Sequence, residues 1–326
     1  MKIITKKIND LSSEMLDNNT ALILSSSFEE RAFTIGRMLC NNNNNISIVF
    51  VISTNYNSLI VENAKKIQSM FGEKAENIII KKEDPFSQLA EIYKIHSKLI
   101  EKKIENIIID ITTFTHETLL ILVNVLNKKN LLKKAYFFYN SAKEYCPRMQ
   151  DNKKWLSKGC KEIRTILGYP GLLLPNRQTC IIVLVGFEHE RASRLIELTD
   201  PDSLYIGCGI ISSQHITSEK HMAPMKVFEE MYKSFLATRM NVNIFEFSAR
   251  DIENTVKALN KVLEETKEYN HIIVPMNTKI STIATGLIAL QNPAIQLCYA
   301  EPEIYNFDNY SIPDERIIGF QCYIGE

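Results

Sequence analysis

Ala21-Leu-Ile-Leu-Ser-Ser-Ser-Phe-Glu-Glu-Arg-Ala32 and Cys180-Ile-Ile-Val-Leu-Val-Gly-Phe-Glu-His-Glu-Arg-Ala192 are two versions of one pattern: an apolar run, then Phe-Glu-(x)-Glu-Arg-Ala. Working outward, the likeness continues in the same order. Asn106-Ile-Ile-Ile-Asp-Ile-Thr-Thr-Phe-Thr-His-Glu117 parallels His271-Ile-Ile-Val-Pro-Met-Asn-Thr-Lys-Ile-Ser-Thr282. Tyr139 and Tyr145 are spaced as Tyr299 and Tyr305 are, and Lys161–Gly171 resembles Asp314–Gly325. A repeat of this length points to duplication of a whole domain, with 1–172 as the first copy and 178–326 as the second. The stretch between them, Gly171-Leu-Leu-Leu-Pro-Asn-Arg-Gln178, has the Pro and polar residues of a short linker and three leucines that suggest packing.

Each half alternates apolar strands with segments of helical spacing. In the first, strands are expected at 21–25, 46–53, 77–81, 107–111 and 135–139. Helices fall between them at 30–40, 58–71, 85–102 and 117–127. The second half repeats the order with strands at 181–185, 203–206, 242–246, 272–274 and 296–299 and helices at 223–237 and 252–266. A β-like segment closes each half, 163–167 and 316–321. Continuous apolar strands separated by helices indicate parallel sheets covered on both faces. The expected fold class is α/β: two tandem Rossmann-like domains with mainly parallel sheets, related by internal duplication and by a pseudo-two-fold axis. Ligands in such sheets bind beyond the carboxyl ends of the strands.

Composition narrows the function. The 326 residues are 45% apolar and 23% charged, ordinary for a folded soluble protein, and the formal net charge is zero. The chain therefore carries no strong nucleic-acid signature. Its seven cysteines are scattered, without Cys-x-x-Cys, as a reducing cytoplasm allows. No apolar run reaches the length of a membrane span, and the N-terminus lacks a signal-peptide core, so a cytoplasmic location is expected. His215 and His221 have no acidic or cysteine partner at ligand spacing, so no metal is expected. Gly207-Cys-Gly209 follows the second strand of its half and reads as a tight turn.

The turns after strand one carry Glu29, Glu30 and Arg31 in one half and Glu188, Glu190 and Arg191 in the other. A dinucleotide-binding fold would place Gly-x-Gly-x-x-Gly there. Carboxylates at a helix start compete for the donors a pyrophosphate would use, which argues against NAD or FAD. No cofactor is expected. Two readings stay open: the acids grip ribose hydroxyls or amines, or activate water; or they cap a helix and pair with the arginine. The loops after strand four form the second candidate. Asn277, Thr278 and Lys279 open a helix and suggest a phosphate cradle without P-loop glycines. The first half has Asp110, Thr112, Thr113, His116 and Glu117 there, with Phe114 where the second half has its lysine. Ordinary Thr capping is the competing reading. Tyr139 and Tyr299 end the fifth strands, where they would stack on a base or simply pack.

Strand–Asn277-Thr278-Lys279–helix resembles the Gly-Thr-Lys loop of CRISPR-associated Rossmann fold (CARF) sensor domains. In the first half only Thr113 matches that motif. The resemblance implies a cytosolic nucleotide-sensing or nucleotide-processing protein acting in antiviral defence, with a cyclic oligoadenylate-like ligand in a cleft between the repeats. It also implies a protein partner carrying the effector activity. Two alternatives remain. One is a hydrolase acting on a nucleotide or related small anionic molecule, with Glu29, Glu30, Asp110, His116 and Glu117 as acids and bases. The other is a scaffold subunit of a larger complex.

Overall fold

A computed structural model describes residues 2–8, 19–41, 45–147, 155–187, 189–210, 233–235, 237 and 241–325. The helix expected over 223–237 falls largely outside them, as do Glu188, His215 and His221. The chain divides into two compact units. One is contiguous, residues 148–310, and is called here the inserted unit. The other, the split unit, joins residues 2–147 to 311–326. The units part at 147/148 and 310/311, whereas the repeat suggested a boundary near 171–178.

The split unit contains β1 (Ile3–Ile8), β2 (Thr20–Ser25), β3 (Ile46–Thr54), β4 (Ala75–Ile80), β5 (Asn106–Asp110), β6 (Ala135–Tyr145) and β15 (Ser311–Ile324). Its helices are α1 (Thr34–Cys40), α2 (Ser58–Phe71), α3 (Pro85–Glu101) and α4 (His116–Asn127). The segment expected as one helix from Glu30 opens as a 3-10 turn, Glu30–Phe33. The boundaries have local causes. Asn57 caps α2 by accepting from the Leu59 N–H at 2.7 Å, and Gly72, at φ 58°, ends it. Asp84 caps α3, whose first residue is Pro85. The sheet order is β1-β15-β6-β5-β2-β3-β4. The pairs among β2 to β6 are parallel, and β15 runs antiparallel to both β6 and β1. Leu22, Leu24, Val49, Val51 and Ile108 are fully buried in a core with Ile35, Ala64 and Ile67 from the covering helices.

The inserted unit contains β7 (Ser157–Lys158), β8 (Glu162–Pro170), β9 (Thr179–Val185), β10 (Ser203–Ile210), β11 (Val242–Ser248), β12 (Asn270–Pro275), β13 (Gln296–Glu301) and β14 (Ile304–Tyr305). Its helices are α5 (His189–Thr199), α6 (Ile252–Glu265) and α7 (Lys279–Gln291). The main sheet runs β11-β10-β9-β12-β13-β8, parallel except for β8, and β7 pairs with β14 apart from it.

Both sheets thus read 3-2-1-4-5 in their parallel strands, followed by an antiparallel strand, β8 in one and β15 in the other, where β1 then adds to β15. This is a Rossmann-like α/β arrangement, with a topological switch point between strands one and four of each sheet. The closing strands are crossed over. β8, from the first half of the sequence, completes the sheet of the second half; β15, from the second half, completes the first. Gly207 and Gly209, expected in a tight turn, lie inside β10. Among the described residues no helix is long and apolar enough to cross a membrane.

Candidate functional site

In the split unit the turn after β2 and the loop after β5 flank the switch point, as the strand order requires. Arg31, from the turn, is buried. Its Nε and Nη2 both donate to Glu29 Oε2, at 2.9 and 2.6 Å, and the Ser311 hydroxyl donates to the same oxygen at 2.6 Å. Arg31 Nη1 donates to the Asn140 carbonyl at 3.1 Å. The guanidinium also lies 5.6 Å from the centre of the Tyr145 ring. Burial, then neighbouring Tyr139, pushes the Tyr145 phenol well above its ordinary range. Glu29 is thus committed to a buried ion pair with three donors on one oxygen. Glu30 is exposed and pairs with Arg37 at 3.6 Å.

Asp110 ends β5 and is almost fully buried. It accepts from the Thr112 backbone N–H at 3.0 Å and from the Thr112 hydroxyl. Burial raises its pKa to about 7, against the lowering effects of Thr112 and of Arg31. Thr112 Oγ1 accepts from the Asn140 N–H at 3.0 Å, and Asn140 Nδ2 donates to the Asp314 carbonyl of β15 at 2.6 Å. Thr113 Oγ1 donates to the Ser25 carbonyl at 2.7 Å. Thr115 caps α4, which makes His116 the first helical residue. His116 is half-buried; Glu117, Phe114 and Tyr139 are buried. The structure therefore gathers Glu29, Arg31, Asp110, Thr112 and Tyr139 into one polar cluster, sealed rather than open.

The inserted unit repeats the frame with different chemistry. Arg191 is buried and gives Nη1 to the Ala300 carbonyl at 2.8 Å. The bond joins residues 109 apart, as does that between Arg31 and Asn140. Glu188, the counterpart of Glu29, lies outside the described residues. Glu190 is exposed and accepts from the Gly159 N–H at 3.1 Å. Buried Glu301, from β13, takes Arg164 Nη1 at 2.7 Å, and Arg164 lies over the Tyr299 ring at 5.4 Å.

At this unit's switch point, Thr278 caps α7 by accepting from the Ser281 N–H at 3.3 Å, and its hydroxyl donates to the Ala249 carbonyl at 2.7 Å. Asn277 Nδ2 donates to the Val185 carbonyl at 2.5 Å and its Oδ1 accepts from the Thr278 N–H at 2.9 Å. Lys279, half-buried, is the first residue of α7. Two glycines let the backbones close on this loop: a Cβ on Gly186 would meet the Met276 carbonyl oxygen at 2.1 Å, and one on Gly209 would meet Asn277 Nδ2 at 2.8 Å. By helix position the counterpart of Thr278 is Thr115 and that of Lys279 is His116. The expected match of Lys279 with Phe114 is corrected: the β5 loop is longer, and Phe114 is packed inside, where it cannot cover a base.

Sequence reasoning missed Asn140, Ser311, Arg164 and Glu301, the partners that fix the two arginine clusters. It also missed Gly186, although a glycine directly after a buried strand is itself a signal of close backbone approach. Among the described residues no group of three His, Cys, Asp or Glu stands where it could hold a metal ion.

No family model matches the chain, and no curated protein matches it. Solved structures give distant likenesses. UDP-GlcNAc 2-epimerase from Neisseria meningitidis bound to UDP-GlcNAc has a TM-score of 0.27 at 11% identity, over 78% of this chain and 77% of that one. The NADP-bound N-domain of a bacterial malonyl-CoA reductase has a TM-score of 0.28 at 9% identity, over 85% and 78%. NADPH-bound carbonyl reductase from chicken fatty liver has a TM-score of 0.28 at 15% identity, over 37% of this chain, which spans about half (52%) of that reductase.

Proposed function

We propose that the chain is a nucleotide-binding protein of sensor type, similar to CARF domains, and that it takes a phosphate of its ligand at the start of α7. One observation carries this reading. At the switch point of the inserted unit, Asn277 and Thr278 spend their side chains on holding the loop, so that Lys279 is delivered to a rigid helix start. The helix N-terminus and the lysine charge add at that place. In the split unit the same position holds His116, and the nearby acids are committed to internal partners.

That commitment also favours binding over hydrolysis. A general base must come within hydrogen-bond reach of substrate. Glu29 is tied to Arg31 and Ser311, and Asp110 is enclosed. Asp110, with a pKa of about 7, is the one observation on the side of acid–base chemistry.

The test is titration calorimetry of the full chain with a panel of mono-, di- and cyclic oligonucleotides, with product analysis of each mixture. Binding without turnover is expected. Lys279→Ala should weaken binding about tenfold to a hundredfold, the worth of one charge-assisted contact, and leave the protein folded. Equal affinity for the variant would remove the phosphate-cradle reading, and cleavage of a panel member would replace the sensor with a hydrolase.

A further inference from the structure

The inserted unit has a cavity at the edge of its sheet opposite the switch point. It lies where β12 begins and where α6 and α7 end, opens to solvent, and has a volume of about 470 Å³. That is ample for a small ligand. We propose that this cavity binds a small amphipathic carboxylate, with the anionic end at Arg177 and the aliphatic end between Leu263 and Ile288.

The segment that carries Arg177, itself exposed, is held in place by its neighbours. Asn270, at the start of β12, holds the segment leading to Arg177 by three hydrogen bonds. Its Oδ1 accepts from the Leu174 N–H at 2.8 Å, and its Nδ2 donates to the carbonyls of Leu174 and Arg177 at 2.9 and 3.0 Å. Arg177 Nη1 in turn donates to the Lys267 carbonyl at 3.3 Å, which turns the guanidinium towards the end of α6. Among the described residues no carboxylate stands within ion-pair distance of Arg177, whereas Lys267 is matched by Glu264 at 3.3 Å. The cavity thus offers one cation whose charge is not balanced by a neighbour. Its floor holds His271, buried, with Nε2 2.8 Å from the Thr266 hydroxyl. Leu263 and Ile288, on the two helices, give the apolar wall. A carboxylate head with an aliphatic tail satisfies both surfaces; a simple inorganic anion leaves the apolar wall wet, and a neutral lipid leaves the cation unmatched.

The experiment uses the full chain with octanoate and acetate as probes, by titration calorimetry. Octanoate should saturate at one site per chain and acetate should bind at least tenfold more weakly, because only the longer acid covers the aliphatic wall. Arg177→Ala should weaken octanoate roughly tenfold to a hundredfold. Asn260, exposed on α6 at the cavity rim, gives a pair of variants that leave the fold alone: Asn260→Glu should weaken octanoate and Asn260→Lys strengthen it. No saturable octanoate binding, equal binding of acetate, or indifference to Arg177→Ala and to both Asn260 variants would each overturn the proposal. None of these outcomes touches the nucleotide reading, whose site lies at the opposite sheet edge.

Discussion

Asp110 makes the pH dependence of the molecule predictable. An unfolded aspartate titrates near 3.9, and the folded one at about 7. Between those values the native state holds a proton that the unfolded chain has released. Stability therefore falls as pH rises from about 4 to about 7 and is level above that. Three pKa units correspond to about 4 kcal/mol as an upper limit. Asp110→Asn keeps an oxygen to accept both Thr112 bonds and removes the titration. Calorimetric scans at pH 5 and pH 8 should show the parent losing thermal midpoint at the higher pH while the variant stays level; parallel behaviour would mean that Asp110 titrates normally. Arg31→Ala should cost about 3–5 kcal/mol in urea unfolding, because it strands Glu29 as a buried charge. A loss below 1 kcal/mol would show the pair to be solvated. Both arginines were legible as paired positions in the sequence. The pairing of Glu29 with Arg31 was one of the two readings of the turn; the distant partners were not legible, since Ser311 lies 280 residues from Arg31 and no local pattern announces it.

The parallel strands and several of the described helices followed from pattern because they carry local signals: an apolar run in the strands, a cap at Asn57 or Asp84, a glycine stop at Gly72. β1 was not foreseen, being a short edge strand of mixed character, Ile-Ile-Thr-Lys-Lys-Ile. The two loops after strand four show the limit of reading by alignment. Their residue types suggested ligand contacts, yet most of the hydroxyls and amides close the loops on themselves. Capping accounts for Thr115 and Thr278, and the residue after each cap, His116 or Lys279, stands at the start of its helix. Thr278→Ala should destabilise the protein by about 1–2 kcal/mol, from the lost cap and the stranded Ala249 carbonyl, and Thr278→Ser should restore most of it. Chemical denaturation of the three proteins checks this; an unchanged midpoint for Thr278→Ala would assign the hydroxyl to the ligand rather than the fold.

At the scale of the molecule, the repeat announced two similar sheets, and both have the same parallel strand order. What it could not announce was which sheet each closing strand joins. β8 and β15 look alike in sequence, and pairing is a long-range choice that local pattern does not encode. The crossing has a measurable effect. Leu172 and Leu173 are exposed in the segment after β8. A protease site placed there and cut would separate 1–172 from the remainder, yet β8 would still pair with β13, and β15 with β6 and β1. The fragments should therefore elute together in size-exclusion chromatography under native conditions and separate only in denaturant. Separation in native buffer would contradict the strand order.

The route of the chain also decides how the protein meets mechanical force. Its two ends sit side by side on one ladder, with Ile3 opposite Ile324. Tension applied at the termini opens that ladder like a zip, one rung at a time, and loads few bonds at once. The next ladder under load joins β15 to β6, whose rung at Tyr145 and Ser311 is the gateway through which residues 148–310 leave and return. Until that rung parts, the inserted unit carries no load. A chain held in an optical trap should yield first at low force with a short extension, and the unit within the gateway should stay folded until the second event.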